Sequence, residues 1–303
     1  MTKLTAPTQD HPPRACPLCG TLAKDVQFEY ASAETAYPLY GCKACTGLFI
    51  RPMPIEKIAE RKMDSLEDAE LLSPAFKLLH EKLILAKEAR TVRSLINKSQ
   101  IELLDIGCGT GWSTDFWRRN GFAVEAVEPS PARCRFARTR YGLTVHNCYV
   151  EEMDLTRPYD VVVLRHLIEH LEKPAALLQS VAKLLRPDGL LLIVVPNLRC
   201  IGKKFFGRHW EWVVPWHCNF FTPRALEQFV VHCGYAPLAS HQSPSPLYYA
   251  ESLGRAMQSP ALEKFFSRHR LAGLSIALPL AIIGLCTGMA DNITLVARPP
   301  QHL

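Results

Sequence analysis

The chain is poor in charge. Only 21% of its 303 residues are charged, and 35 lysines and arginines against 29 acids leave +6. That balance permits an anionic partner or an anionic membrane surface but demands neither. With 48% hydrophobic residues it excludes a disordered chain and allows one large core plus a small accessory domain. The stretch from Met1 to Pro7 has no apolar core of the kind that opens a secretory signal. Export is therefore not expected, a cytoplasmic setting is, and the 11 cysteines read as thiols and metal ligands rather than disulfides. Charge is missing altogether from Leu271 to Ala290, a run of 20 residues containing Pro279.

What is present is organised around Ile101 to Gly111. A short apolar run breaks into glycines at 107, 109 and 111, and a helix is expected from Trp112 to Asn120, ended by Gly121. Strand, glycine turn and helix start form a nucleotide seat, because no Cβ keeps the ligand from the backbone. The dinucleotide fingerprint G-x-G-x-x-G is incomplete, since position 112 is Trp, and an acid, Asp105, precedes the turn instead. Phe122 to Glu128 reads as a second strand. Its terminal acid stands 21 residues after Gly107, where it can accept both ribose hydroxyls of a nucleoside. Ser130 and Pro131 open the next helix as N-cap and first residue.

Further strands are expected at 143–146, 159–164, 190–195, 235–242 and 292–298, with a turn at 186–189. Their alternation with helical stretches predicts an α/β fold with a parallel, doubly wound sheet. Ligands bind at the carboxyl ends of such strands, which would gather the glycine turn, Glu128, Tyr149 and Arg165 to His170. An aromatic-rich loop over 197–221 reads as a lid or substrate wall, and Thr222-Pro223 starts a helix that Gly234 ends.

Before this domain stand two C-x-x-C units, Cys16/Cys19 and Cys42/Cys45. Four thiolates can close a tetrahedral zinc site that replaces a core too small to build, and the doubling favours zinc over a redox pair. The expected organisation is a zinc-binding module at 1–54 with a loose tail over its first 13 residues, and a helical linker or lid at 55–98. Within the latter, Phe76, Leu79, Leu83 and Ala86 recur at helical spacing. A catalytic domain follows at 99–303, with an apolar helical insertion at about 247–290.

Leu103 to Gly111 resembles motif I of the class I S-adenosylmethionine-dependent methyltransferases, and Val124 to Glu128 their ribose-binding segment. Tyr159 to Pro174 looks like the H-x-x-E-H-x-x-x-P stretch of the ubiquinone-type subgroup. Trp212 to Thr222 resembles that subgroup's P-x-H-x-x-x-F-[ST] signature. The cysteine pairs are similar to those of zinc-bearing C-methyltransferases of deoxysugar pathways. The resemblance implies a Rossmann-like seven-stranded sheet with a small zinc ribbon-like module. It implies that Asp105, Gly107, Gly109 and Gly111 hold the methionine part of S-adenosyl-L-methionine and that Glu128 takes the ribose. Tyr149 would flank the adenine, with Arg165 and His166 beside the sulfonium.

His166-x-x-Glu169-His170 also matches an inverted zinc-protease motif, which its place at the mouth of a glycine-turn sheet argues against. Glu169 and His170 read as a hydrogen-bonded pair, with a divalent cation nearby as a second use. His170 and His217 are the candidate general bases, His209 a weaker one. The expected reaction is methyl transfer to an oxygen or carbon of a small molecule, a sugar or a lipid-linked acceptor. The alternative is an RNA methyltransferase whose zinc module grips the nucleic acid, which the modest charge disfavours. A non-catalytic scaffold and an NAD-dependent oxidoreductase are further readings. The run at 271–290 is long enough to span a bilayer, yet a strand at 292–298 leaves too few residues to return. It should therefore be buried, or rest peripherally on the inner face of the membrane.

Overall fold

β7 (Glu102–Ile106) and β10 (Tyr159–Arg165) are neighbours at the centre of a seven-stranded sheet, in the order β13-β14-β11-β10-β7-β8-β9. This computed structural model describes residues 3–7, 10–31, 36–53, 66, 74–153, 157–214, 216–245, 249–259, 261–262, 264–265 and 274–301. Expectations for 55–65 and 67–73, for Phe266 and for 271–273 fall outside those residues.

β7, β8 (Ala123–Val127), β9 (Val145–His146), β10 and β11 (Leu185–Pro196) are parallel. Alternate residues face opposite layers, as a strand's period of two requires. Leu104, Val162 and Leu164 pack with α5 (Pro174–Leu184) and α7 (Pro223–His232). Leu103, Val161 and Val163 pack with α2 (Ala86–Leu95) and Trp117 of α3 (Trp112–Arg119). The expected turn at 186–189 is absorbed into β11 as an irregularity, where the register jumps from Tyr159↔Leu185 to Val161↔Leu190.

The sheet departs from all-parallel at one place. β14 (Asn292–Arg298) runs antiparallel between β11 and β13 (Ala236–Ser243). Asn292 pairs with both Ser243 and Pro196, so the chain leaves and re-enters the sheet at the carboxyl end of β11. A strand that starts there must run downward. The intervening segment, with α8 (Tyr249–Ala256) and α9 (Leu274–Cys286), therefore enters and leaves at the ligand-binding end.

The N-terminal residues are less loose than expected, because β1 (Lys3–Thr5) pairs with β4 (Asp25–Ala31). With β5 (Ala36–Gly41), β6 (Leu48–Ile50) and β12 (Asn219–Phe220) these strands form a second sheet. β2 (Arg14–Ala15) and β3 (Leu22–Ala23) form a separate ribbon around the first cysteine pair. The aromatic stretch is not one loop: α6 (Ile201–Phe206) opens it and β12 closes it. Trp210, Phe206 and Phe220 are buried with Leu39 and Ile50 of the second sheet.

The helix before the glycine turn is also altered. α1 (Pro74–His80) joins α2 through a π-helical turn, Glu81–Leu85. The wider turn rotates the face that follows it. Leu79 and Leu83, expected on the packed stripe, are 44% and 53% exposed, while Leu85, Glu88, Ala89 and Val92 are buried.

Candidate active site

The glycine turn takes the conformation its sequence requires. Gly107, Gly109 and Gly111 have φ of +75°, +56° and +81°, where a side chain is strained. A Cβ on Gly111 would lie 2.8 Å from Leu143 and 2.9 Å from Ala137, so this glycine serves close packing of α3 on α4 (Pro131–Tyr141). A Cβ on Gly109 would meet nothing within 4 Å, which leaves that backbone open to a ligand.

Two acids flank the turn. Glu128 is buried, and its carboxylate accepts from Gly109 N and Ser130 N, each at 2.9 Å. It ties the turn to the start of α4, where Ser130 caps the helix by accepting from Arg133 N at 3.3 Å. Each carboxylate oxygen keeps a lone pair for a further donor. Asp105 accepts from Thr114 Oγ1 at 2.6 Å, and burial pushes its carboxyl up to about 6. Tyr149 stands at the rim, 57% exposed.

At the end of β10, Arg165 forms an ion pair with the fully buried Glu88 of α2, which also accepts from Thr294 Oγ1 at 3.2 Å. Arg165 is thus tied to the helix in front of the sheet. An acid on the same stripe as Leu85, Ala89 and Val92 was the one sequence signal for this pair, and the sequence reading passed over Glu88. Next to it, His166 has φ +49°, an uncommon conformation for a residue with a side chain. Its ring lies parallel to Trp212 at 5.2 Å, and Trp212 is stacked at 5.6 Å on His217.

Glu169 pairs with His166, not with His170: Glu169 Oε1 is 3.2 Å from His166 Nδ1. His166 precedes the 3₁₀ turn Ile168–His170, and His170 is held by the Trp216 carbonyl instead. His170 Nδ1 lies 3.0 Å from the Trp216 carbonyl, and its ring meets His217 edge-on at 4.6 Å. Because a carbonyl only accepts, Nδ1 carries the hydrogen of this bond. Glu169 is buried, and its Oε2 has no hydrogen-bond partner among the described residues. Ligand atoms of Glu169, His170 and His217 lie within 4.8 Å of one another, close enough to share a cation. His209 belongs to a separate 3₁₀ turn, Gly207–His209, beside Arg208.

The four expected cysteines come together. Cys16 Sγ is 3.7 Å from Cys45 Sγ, Cys19 Sγ is 3.5 Å from Cys42 Sγ, and all four lie within 4.8 Å. Each pair is set on a tight turn: Gly20 N bonds to Cys16 O and Thr46 N to Cys42 O. The hydrogen bond between Cys16 and Cys45 holds the Cys45 thiol down and pushes Cys16 up. Four closely held sulfurs, none in a disulfide, offer the ligand atoms that a tetrahedral thiolate site would need.

Sheet order and glycine turn are those of a class I S-adenosylmethionine-dependent methyltransferase. A family model described as a methyltransferase domain matches residues 79–240, more than half of the chain, and the chain belongs to that family. The ubiquinone biosynthesis O-methyltransferase of Caulobacter vibrioides is 32% identical over 174 residues, covering 52% of this chain and 67% of that protein. The protein of the same name from Rhodopseudomonas palustris is 28% identical over 154 residues, covering 47% and 61%. The chain thus spans about two thirds of the length of these relatives. Among solved structures, the 1,6-didemethyltoxoflavin-N1-methyltransferase of Burkholderia thailandensis, with S-adenosylhomocysteine bound, aligns with a TM-score of 0.50. That alignment covers 89% of this chain and 98% of the other at 14% identity, and at that identity it is the fold that is shared.

Proposed function

We propose that the chain methylates a hydroxyl oxygen of a small-molecule acceptor. S-adenosylmethionine supplies the reacting methyl group on a cationic sulfonium. The turn Gly107 to Gly111 and Asp105 would hold its amino-acid end, and Glu128 its ribose. Arg165, neutralised by Glu88, adds little net charge against a cationic cofactor. His170 receives the acceptor's proton on Nε2, while the Trp216 carbonyl fixes its tautomer and His217 backs its ring. The rest of the work is alignment and exclusion of water by the stack of His166, Trp212 and His217. The observation that carries this reading is the bond of His170 Nδ1 to the Trp216 carbonyl, which leaves Nε2 as the ring nitrogen for the acceptor, on the turn that follows β10. The O-methylating relatives favour oxygen over carbon. A sugar or lipid-linked hydroxyl is the finer expectation.

The four cysteines would hold one structural zinc in a module at 1–54. A helical lid at 55–98 and a catalytic domain at 99–303 complete the proposed organisation. The test is transfer of labelled methyl from S-adenosylmethionine into cell-extract fractions. Label should enter a small-molecule fraction, and His170→Ala should abolish transfer while keeping affinity for S-adenosylhomocysteine. Label in RNA, or unchanged transfer by His170→Ala, would overturn the proposal.

A further inference from the structure

We propose that α9 and the segments packed on it dock the protein on an anionic lipid surface. The inference rests on the fold and not on the methyl-transfer reading. α9 carries no charged residue and is apolar on every face, so no rotation would hide all of its apolar surface. Its small residues, Ala277, Ala281 and Gly284, are buried, and a Cβ on Gly284 would come within 3.1 Å of Ile201. Its large residues, Leu278, Ile282, Ile283 and Leu285, are between 46% and 52% exposed. A surface helix normally turns its apolar side to the core.

The exposed side chains do not stand alone. α9 packs on α6 and α8, and α6 carries Phe205, 64% exposed, beside the exposed Lys204. Met257, which follows α8, is 58% exposed. Contiguous apolar surface of this kind marks an interaction site.

Charge selects the partner. Residues 197–214 and 249–290 together hold eight lysines and arginines against three acids, Glu211, Glu251 and Glu263. This excess of five positive charges is most of the chain's +6. Glu211 is buried, which removes one acid from the surface. An apolar helix face within a basic segment complements anionic headgroups over acyl chains. A second copy would oppose the same basic segments to each other, which disfavours self-association.

The contact is shallow. Among the described residues no helix is long and apolar enough to cross a membrane. At ~1.5 Å per residue, α9 covers about 20 Å of a hydrocarbon core roughly 30 Å thick. Because this segment enters and leaves the sheet at the carboxyl end of β11, docking would bring the site mouth to the lipid surface, where an apolar acceptor is concentrated.

Co-sedimentation of the full chain with vesicles tests this. Vesicles are phosphatidylcholine alone or mixed with phosphatidylglycerol, and the variants are Ile282→Glu with Ile283→Glu, and separately Leu285→Ser. The wild type should bind the anionic vesicles and release at high salt. The double variant should bind about tenfold or more weakly, and Leu285→Ser should show an intermediate loss. Unchanged circular dichroism and affinity for S-adenosylhomocysteine would show that both variants fold. Failure of the wild type to bind at low salt, or equal binding by the folded variants, would overturn the proposal. So would a concentration-dependent dimer that the double variant abolishes without any vesicle binding, since a second copy would then cover the face.

Discussion

Asn219 Nδ2 donates to the Leu171 carbonyl at 2.7 Å, and also to the Ile168 carbonyl at 3.0 Å. Asn219 lies on β12, paired with Phe49 of the N-terminal sheet, so it fastens the turn that carries His170 to the cysteine-bearing part of the chain. Ile50 N bonds to Cys218 O at 3.0 Å, and Arg51 Nη2 to the Glu172 carbonyl at 2.6 Å, in the same direction. The N-terminal sheet is therefore a support for the candidate base.

Replacing Asn219 by Ala should leave two buried carbonyls without this donor. The cost should be about 1–3 kcal/mol, from roughly 0.5–1.5 for each lost hydrogen bond, because Leu171 N still donates to the Ile168 carbonyl and Cys218 Sγ to that of Leu171. Urea denaturation measures it. Methyl transfer should fall more than stability predicts, because the His170 turn loses its anchor, whereas affinity for S-adenosylhomocysteine should stay within a few-fold.

The cysteine cluster should behave as a structural metal site. Metal analysis of the purified protein should find zinc in a one-to-one ratio. Cys42→Ser should lose the metal and lower stability by several kcal/mol, on the scale of thiolate zinc sites in small domains. Its effect should reach the His170 turn through β6 and β12. A metal-free wild type with the same melting temperature would remove this account of the module.

Glu88 and Arg165 form a pair taken almost wholly out of water, with side chains 0% and 11% exposed. Truncating Glu88 to Ala strands the guanidinium and should cost about 3–5 kcal/mol, far more than a surface pair. Replacing both by Leu and Met should restore most of that loss. A double-mutant cycle by chemical denaturation separates the two effects, and a cost under about 1 kcal/mol for Glu88→Ala would deny the pair its role.

Asp105 gives a pH dependence with a definite sign. Burial raises its folded-state value to about 6 from the ordinary 3.8, so between those values the folded chain holds a proton that the unfolded chain has released. The group's contribution favours folding at low pH and is lost as pH rises through about 4 to 6, by linkage about 3 kcal/mol in all. A cationic cofactor reverses the preference at the site, since its ammonium is attracted only to the carboxylate. Affinity for S-adenosylhomocysteine should therefore weaken as pH falls below about 6, and binding near that pH should release a proton. Calorimetry in buffers of different ionisation enthalpy reads the proton. Asp105→Asn should bind more weakly with no such slope.

Much of this was legible beforehand because it depends on local chemistry. The alternation of strands and helices, the glycines at 107, 109 and 111, the cap at Ser130 and the helix start at Thr222-Pro223 are written in short stretches, and in the structure Thr222 caps that helix by accepting from Ala225 N at 3.0 Å. The cysteine cluster follows from spacing alone. What stayed hidden depends on distant partners. The antiparallel β14 is set by where the inserted helices leave the sheet. The π turn Glu81–Leu85 moves the buried face away from Leu79 and Leu83, and a periodic count assumes a regular helix. The Glu88–Arg165 pair joins residues 77 positions apart. The stack on Trp212 needed the long aromatic stretch to fold back on the 3₁₀ turn.

The central claim is that the turn at Gly109 seats the methyl donor, and calorimetric titration with S-adenosylhomocysteine tests it most directly. The wild type should bind one equivalent. Gly109→Arg should keep its circular dichroism, because a Cβ there meets nothing within 4 Å and the left-handed backbone costs only about 1–2 kcal/mol. Its affinity should nevertheless drop by about a hundredfold or more, because the side chain fills the ligand's place. Undiminished affinity in the folded variant, or no binding by the wild type, would contradict the account.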